Sequence, residues 1–482
     1  MFTMMNKIRT TKSTSAPQHE LTERTAGDYL ANELFETAKL ALPMALGQLG
    51  QIAMMATHLV FIGRIGVEAV AAAGLAGRIY LVVLNVGMGL LAAIAPFAAE
   101  AFGAGNLNSV RRSLRMGLFA AFMLSLPIIG IGLCGEKMLI FVGQSAEAAR
   151  LAQHYLLGLT WGAAPALLFV PIRSCMAAMN RATPILWITL AAIPVNALLV
   201  YVLTSGKLGL PRLELFGAGL ATTLVNCATF LAGLLFITMY RPLRSYCMIA
   251  DLCRFDWPLM RQLITIGVPI SISFLIESGV WSAAALLVGV IGTKSLAAHQ
   301  VPFQIAVALL SISNGISMAA TVRVAHAVGR KDRNGIKRAG LVALLLGVVI
   351  VAILTLVAAV ARFEITKLLL GQPGHDEDAT INLAATLVLI AASSFVTAGV
   401  CSIATGGLRG MKDTRVPLLF AGISYWAIGF SLSYLLGFKI GLNVVGVWIG
   451  LSMGTAVHAV LLVSRFYLLA SKIALHTEKL AR

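Results

Sequence analysis

The sequence predicts an all-α membrane protein whose twelve transmembrane helices form two homologous six-helix bundles. Hydrophobic residues make up 59% of the 482 residues and charged residues only 12%, whereas soluble proteins are about half apolar and a quarter charged. The apolar residues form long runs separated by short polar gaps, and an internal repeat relates the two halves of the chain. Together these observations place most of the chain in hydrocarbon.

The internal repeat has a constant offset of 226 residues. Gly89–Arg112 aligns with Gly315–Arg338, and Pro43 upstream aligns with Pro269 without a gap. Other identical pairs are Gly63 and Gly289, Gly66 and Gly292, Ala71 and Ala297, Gly103 and Gly329, and Asn108 and Asn334. Chance similarity between Ala/Leu/Val-rich segments would not reproduce Pro, Asn and Arg at one offset. A repeat of this length in an apolar chain is typical of two-lobed transporters.

Twelve segments are long enough to cross about 30 Å of hydrocarbon at a rise of about 1.5 Å per residue. They lie near residues 37–62, 75–103, 113–134, 148–174, 183–205, 215–239, 262–291, 296–328, 339–361, 380–408, 416–437 and 442–469. Because each half has an even number of spans, the halves should share one orientation in the membrane. Prolines within spans, such as Pro194, predict bent helices, because proline removes a backbone hydrogen bond.

These spans divide the chain into five parts. We expect a polar N-terminal tail over 1–34, an N-lobe over 35–239, an inter-lobe linker over 240–260, a C-lobe over 261–470 and a C-terminal tail over 471–482. Lys and Arg concentrate in alternate gaps, so the positive-inside rule places both termini in the cytoplasm. The polar start of the chain does not predict a cleavable signal.

The net charge of +17 does not indicate a nucleic-acid partner, because the basic residues cluster in the gaps between spans. We assign Arg173 and Arg409 to this flanking cytoplasmic set. The six cysteines lack the spacing of a zinc site. The sequence also lacks a Walker GxxxxGK[ST] motif for ATP, and no polar catalytic cluster lies within the spans. We therefore expect no cofactor and no enzymatic activity.

Glu277 is the one carboxylate in the middle of a predicted span, eight residues after Pro269. Ionisable groups at this depth are costly and point to function. Burial disfavours the charged form of a carboxylate, so Glu277 can take up a proton near neutral pH or bind a cation. The alternative is a neutral Glu that joins two helices by a hydrogen bond.

His58 lies near the middle of the first span and is a second candidate for carrying a proton. A structural, hydrogen-bonded histidine is equally compatible with this position. Asn196 follows Pro194 and could offer its carbonyl to a cation or join two helices. Candidates for lining a substrate cleft are Gln51, which aligns with Glu277 in the repeat, and Asn180, Trp281 and Gln300.

Several segments resemble the MATE (multidrug and toxic compound extrusion) family, in its NorM-like branch. They are LALPMALGQLGQ, GLLAAIAPFAAEAFGAGN, IGVPISISFLIES, AAHQVPFQ, ISMAATVRVAHAVGRKD, GGLRGMKDTRVP and ISYWAIGFSLSYLLGF. The resemblance covers about residues 35–470. It implies a V-shaped cleft between two six-helix lobes and drug/cation antiport by rocking of the lobes, powered by Na⁺ or H⁺. It also implies that Glu277 is a cation-site residue.

The sequence departs from the family pattern at three positions. His58 stands where many members have an aspartate in the first helix, and Ala398 replaces an aspartate of the second lobe. Ala192 replaces one of two asparagines often found in the fifth helix, while Asn196 remains. Na⁺ prefers several oxygen ligands, so these losses favour H⁺ as the coupling ion, with Na⁺ at Glu277 as the alternative.

We therefore expect a secondary active antiporter of the bacterial inner membrane that exports amphipathic, cationic compounds. It should act as a monomer, with small drugs and the lipid bilayer as its partners. A flippase for lipid-linked precursors in the same superfamily is the alternative, although it would need a cationic central cavity. A membrane-embedded enzyme is a weaker alternative.

Overall fold

The computed structural model describes residues 26–206, 211–239, 255–371 and 378–478. Most of the expected N-terminal tail, residues 240–254 of the expected linker and the last four residues of the chain lie outside this part. Within the described residues the regular structure is entirely helical, so the all-α prediction is confirmed.

The first half of the chain contains nine helices in the described residues. They are α1 (Ala26–Gly63), α2 (Val67–Leu91), α3 (Ile94–Gly103), α4 (Leu107–Leu133), α5 (Gly135–Phe141), α6 (Ala146–Thr160), α7 (Ala163–Ala178), α8 (Thr183–Ser205) and α9 (Glu214–Met239). Helices α2 and α3 together form one apolar span, Glu68–Gly103.

The described part of the second half repeats this order. Its helices are α10 (Trp257–Ile291), α11 (Thr293–Gly329), α12 (Arg333–Val360), α13 (Arg362–Leu370), α14 (Asp378–Gly410), α15 (Arg415–Ala421), α16 (Ser431–Tyr434) and α17 (Asn443–Glu478). Two π-helical segments, Gly422–Phe430 and Leu435–Lys439, flank α16. Helix α17 continues past residue 470, where we expected the C-lobe to end.

The repeat in the sequence is also a repeat in local structure. Gly66 and Gly292 both have φ of 152°, a conformation that side chains with a Cβ rarely adopt, and each precedes a helix. Asn106 caps α4 by accepting a hydrogen bond from Ser109 N at 3.0 Å. Its repeat partner Asp332 caps α12 in the same way. Equivalent helices of the two halves thus begin with the same glycine conformation or the same type of side-chain cap.

Eleven spans in the described residues are long and apolar enough to cross a membrane, and α6 with α7 forms a twelfth that is bent by 42°. We predicted one span at 148–174 and expected prolines within spans to bend their helices. The structure breaks it at Gly162, and α9 compensates for the interruption. Thr223 Oγ1 donates to Gly158 O at 2.6 Å, and Asn226 Nδ2 donates to Gly162 O at 3.3 Å. Carbonyls near the break are therefore paired, as hydrocarbon requires.

The two halves approach each other through small residues related by the repeat. A Cβ on Gly89 would lie 2.7 Å from Ser271 Cα, and a Cβ on Gly315 would lie 2.8 Å from Ala45 Cβ. Gly89 aligns with Gly315, and Ala45 aligns with Ser271. The contact is therefore made twice, with the roles of the halves exchanged. This is the pattern of a pseudo-two-fold axis between the lobes.

A second pair of contacts follows the same symmetry. A Cβ on Gly103 would lie 2.8 Å from His326 Cα, and a Cβ on Gly329 would lie 3.0 Å from the Glu100 carbonyl carbon. His326 and Glu100 are themselves repeat partners. Only glycine permits backbones to approach this closely, so these positions hold the ends of α3 and α11 together.

Ion pairs close the same end of the molecule. Lys412 of the second half pairs with Glu100 of the first. Arg323 Nη2 lies 2.7 Å from Glu33 Oε2 and again joins the two halves. These ion pairs and the Gly103 and Gly329 contacts lie near the loops that follow α3 and α11. We call this region the closed end of the protein.

Replacement of Gly103 tests the symmetric contact. We expect Gly103→Val to lower the melting temperature of the detergent-purified protein, because the new side chain would overlap the His326 backbone. Overpacking of this kind costs about 1–3 kcal/mol. Gly130→Val is the matched control, since a Cβ on Gly130 would meet nothing within 4 Å. Equal melting temperatures for the two variants would show that the halves are not in close contact at Gly103.

Candidate functional site

The first polar site lies inside the first lobe, between α1, α8 and α9. His58 Nε2 lies 3.0 Å from Asn196 Oδ1 and 3.1 Å from Thr222 Oγ1. Asn196 is completely buried, and His58 is 9% exposed. His58 thus faces the helix bundle, which avoids the cost of a polar side chain against lipid.

The hydrogen bonds of His58 define which of its nitrogens can accept a proton. Because Asn196 Oδ1 only accepts, Nε2 is assigned as the donor in this arrangement. Nδ1 then carries a lone pair, and among the described residues it is buried without a partner. The Asn196 amide nitrogen is also unpartnered. The site can therefore take up a proton on Nδ1 without losing the bond to Asn196.

The second polar site lies inside the second lobe around Glu277 of α10. Glu277 interacts electrostatically with Arg409 and Cys401 of α14 and with Tyr425. The Arg409 guanidinium also lies over the Phe274 ring, 5.3 Å from its centroid. In the part of the chain that the structure describes, the Glu277 carboxylate accepts no hydrogen bond from another side chain or backbone group. It is therefore available to a proton or a cation.

His458 is a titratable group near this site that we did not predict. Its ring meets the Tyr425 ring edge-on, with centroids 4.8 Å apart. His458 is 6% exposed, and neither ring nitrogen has a partner among the described residues. The signal that identified His58, a histidine within an apolar span, was present for His458 as well.

The other predicted site residues are scattered. Asn180 is exposed in the turn between α7 and α8, with a φ of 58°. Asparagine tolerates this left-handed conformation, so the backbone of the turn explains why an asparagine is found at this position. Trp281 packs against Phe303 and Trp448, with ring centroids 5.7 and 5.9 Å apart. Gln300 is exposed on α11. Trp281 lies one turn after Glu277 on α10, whereas Asn180 and Gln300 make no recorded contact with His58 or Glu277 in the described structure.

Gln51 instead lines a cavity in the first lobe at its border with α11. About 370 Å³ of space that no protein atom fills lies within it, open solvent included. Its lining residues are Pro43, Met44, Gly47, Gln48, Gln51, Arg173, Ala182, Ile185, Thr189 and Met318. We had placed Arg173 with the basic residues that flank the spans. The structure places it in the wall of this cavity, so its charge belongs to the interior of the lobe.

Comparison with known proteins identifies the family. The MatE family model matches residues 43–202 and 269–435, once in each half of the chain. The chain belongs to this family. The predicted resemblance to MATE transporters is therefore confirmed, and the internal repeat coincides with the two matched segments.

Curated relatives match along nearly the whole chain. A protein of Bradyrhizobium diazoefficiens named "Probable multidrug resistance protein NorM" is 51% identical, over 97% of this chain and all of that protein. A protein of Rhodopseudomonas palustris with the same name is 49% identical, over 90% of this chain and 92% of that protein. These relatives confirm a multidrug efflux transporter, and with it the expectation that the chain is not an enzyme.

Solved structures share the fold. A MATE family transporter of the MOP superfamily, described as outward-facing, matches with a TM-score of 0.83 and 18% identity, over 93% of this chain and 99% of that one. The Vibrio cholerae MATE transporter VcmN in its bent form matches with a TM-score of 0.81 and 17% identity, over 92% of this chain and 99% of that one. At these identities the match concerns the fold.

The environment of His58 leads to a prediction about pH. If Nδ1 carries a proton during transport, His58→Ala should shift the midpoint of the pH profile of efflux, measured with everted membrane vesicles. His154→Ala is the matched control, because His154 is exposed on α6. An unchanged profile in His58→Ala would leave His58 with a structural role, as a hydrogen-bond donor to Asn196.

Proposed function

We propose that this transporter exports amphipathic, cationic compounds in exchange for protons, by alternating access. The observation that supports this most is that each lobe encloses one titratable side chain within its helix bundle, His58 in the first and Glu277 in the second. His58 retains a free ring nitrogen, and Glu277 retains a carboxylate without hydrogen bonds in the described structure. Groups of this kind can change protonation during a transport cycle.

The arrangement at His58 favours H⁺ over Na⁺. Sodium binding requires a shell of oxygen ligands. The side-chain oxygen of Asn196 faces the imidazole at 3.0 Å, so the ring nitrogen occupies the position next to that oxygen. Protonation of His58 would add a positive charge there and oppose a second cation. In the second lobe, the guanidinium of Arg409 near Glu277 opposes Na⁺ for the same reason.

Alternating access requires the closed end to open. The contacts that join the halves there are ion pairs, such as Glu100 with Lys412, and small-residue contacts such as Gly103 with the His326 backbone. Both types can separate without exposing a large apolar surface. Coupling then requires the proton and the exported compound to bind the two states with different affinities. Protonation of Glu277 and His58 would supply that difference.

The distribution of charge supports an orientation for the cycle. Loops and helix ends at the closed end carry Arg111, Lys331 and Lys412, among others, and by the positive-inside rule this end faces the cytoplasm. The described conformation is then closed to the cytoplasm, with both termini on that side of the inner membrane. One chain contains both lobes, so a monomer suffices for the cycle.

The driving ion can be tested with purified protein in proteoliposomes. We expect export of tetramethylrhodamine methyl ester, a lipophilic cation, to follow an imposed pH gradient at equal Na⁺ on both sides. A Na⁺ gradient at equal pH should drive none. Export that follows Na⁺ and ignores the pH gradient would contradict proton coupling.

Glu277→Gln tests the carboxylate in the same assay. The amide keeps the shape of the side chain but cannot titrate, so we expect loss of gradient-driven export with normal expression. Glu364→Gln is the matched control, because Glu364 lies in a solvent-exposed pair with Lys367 at 3.9 Å. Wild-type export by Glu277→Gln would show that Glu277 only joins helices.

A further inference from the structure

His458 is a buried histidine of the second lobe whose two ring nitrogens are both unused. The side chain is 6% exposed, and neither Nδ1 nor Nε2 has a hydrogen-bond partner in the described part of the chain. By contrast, His58 of the first lobe has Asn196 and Thr222 as partners of its Nε2. A buried polar group without a partner is costly. Such a group calls for an explanation, and a role in proton transfer is one.

A close helix contact places His458 against the π-helical segment that precedes α16. A Cβ on Gly454 of α17 would lie 2.7 Å from Gly429 Cα, so the two backbones approach closely at this point. His458 follows Gly454 by four residues and lies on the same face of α17. Its ring meets the Tyr425 ring, with centroids 4.8 Å apart. Ser424 Oγ, beside Tyr425, is also buried without a partner among the described residues.

The same π-helical segment also lies against α10 at Glu277. Trp426 Nε1 donates to Ile276 O at 3.2 Å, and Tyr425 interacts electrostatically with Glu277. Tyr425 is therefore a neighbour of both Glu277 and His458. Single π-helical turns inside α-helices are frequent at functional sites.

Cys401 of α14 makes a second link between the two groups. Its Sγ donates to Thr455 O at 3.4 Å, one turn before His458. Cys401 also interacts electrostatically with Glu277 and Tyr425. Two elements of the second lobe, α14 and the π-helical segment, thus connect the surroundings of Glu277 with those of His458.

The ionisable groups on the elements around His458 are few. They are Tyr425 from the π-helical segment, Cys401 and Arg409 from α14, and Glu277 from α10. On α17 itself, Arg465 lies two turns after His458 and pairs with Asp413 at 2.8 Å, beside the closed end. Lys337 of α12 meets α17 at the Tyr467 ring, nine residues after His458.

Arg409 affects which of the two groups keeps a proton. Its guanidinium keeps its charge in proteins and interacts with Glu277. A neighbouring positive charge favours a carboxylate over the neutral acid. His458 lies on a different helix and has two free nitrogens, so it can accept the proton that Glu277 gives up. The net charge of the three groups is the same before and after this transfer.

We propose that His458 is a second proton-binding residue of the second lobe, which receives its proton from Glu277 through the Tyr425 hydroxyl. The proposal rests on the proposed proton coupling and deepens it. The O–H bond of the Glu277 carboxyl breaks as its proton passes to the Tyr425 oxygen. The Tyr425 hydroxyl proton passes at the same time to a free imidazole nitrogen. Glu277 becomes a carboxylate beside Arg409, Tyr425 stays neutral, and His458 becomes an imidazolium.

Infrared difference spectroscopy shows where the proton resides, because carboxyl and carboxylate groups absorb separately, as do imidazolium and imidazole. The full-length protein is reconstituted in lipid and brought from mildly alkaline to mildly acidic pH. In the wild type we expect an imidazolium signal from His458 and no carboxyl signal that depends on Glu277. Glu277→Gln should remove that imidazolium signal, because a buried imidazolium then loses its compensating carboxylate.

Replacement of His458 should move the proton back to Glu277. His458→Gln should lose the imidazolium signal and gain a carboxyl band, and the double variant with Glu277→Gln should lose that band again. His154→Gln is the matched control, because His154 is exposed on α6, and it should gain no carboxyl band.

Tyr425→Phe tests the route and keeps the proposal testable if His458→Gln fails to fold. The variant keeps the ring and removes the hydroxyl. We expect it to bind tetramethylrhodamine methyl ester like the wild type and to lose export driven by a pH gradient in proteoliposomes. Tyr434→Phe is the matched control, because Tyr434 is 46% exposed on α16, and it should export normally.

Three results would overturn the proposal. They are a Glu277-dependent carboxyl band in the wild type, an unchanged imidazolium signal in His458→Gln, and export by Tyr425→Phe at the wild-type rate. The infrared signals are read without an ion gradient. Failure of the wild type to export along a pH gradient would therefore count against the proposed function, while the infrared result still decides whether His458 holds the proton.

Discussion

Hydrocarbon offers no hydrogen bonds to a polar group, and this constraint governs both the scaffold and the candidate sites. The backbone meets it by remaining helical. Where the chain breaks between α6 and α7, Thr223 and Asn226 of α9 pair with the nearby carbonyls. The interior polar side chains follow the same rule, as the contacts of His58 with Asn196 and Thr222 show. The groups that do not follow it, such as Arg173 and His458, are the ones that invite a functional explanation.

Duplication preserved the scaffold while the chemistry of the two lobes diverged. The turns at Gly66 and Gly292 and the caps at Asn106 and Asp332 are equivalent in both halves, and so are the contacts between the lobes. The ionisable groups are not equivalent. Glu277 aligns with Gln51, and His58 aligns with Ala284. Each lobe therefore holds different ionisable groups within one shared scaffold.

Much of the fold was predictable because apolar length and the internal repeat depend on sequence alone. The twelve spans follow from them, whereas the family was identified from the resemblance of several segments to MATE transporters. The break at Gly162 was not predictable, because hydropathy does not show where another helix supplies hydrogen bonds. Arg173 was counted with the cytoplasmic basic residues that flank the spans, because counting basic residues does not show which face of a helix they occupy. Asn180 was proposed for its amide, whereas its positive φ explains the residue through the backbone.

We propose that substrate and proton compete through a shared conformational equilibrium. Linkage makes this directly measurable, because a ligand that binds the deprotonated protein more tightly must release protons when it binds. Purified protein in weakly buffered detergent solution near neutral pH is titrated with tetramethylrhodamine methyl ester, and a pH indicator records the change. We expect a saturable release of protons that follows the binding curve. Saturable binding of the dye with no release of protons would contradict it.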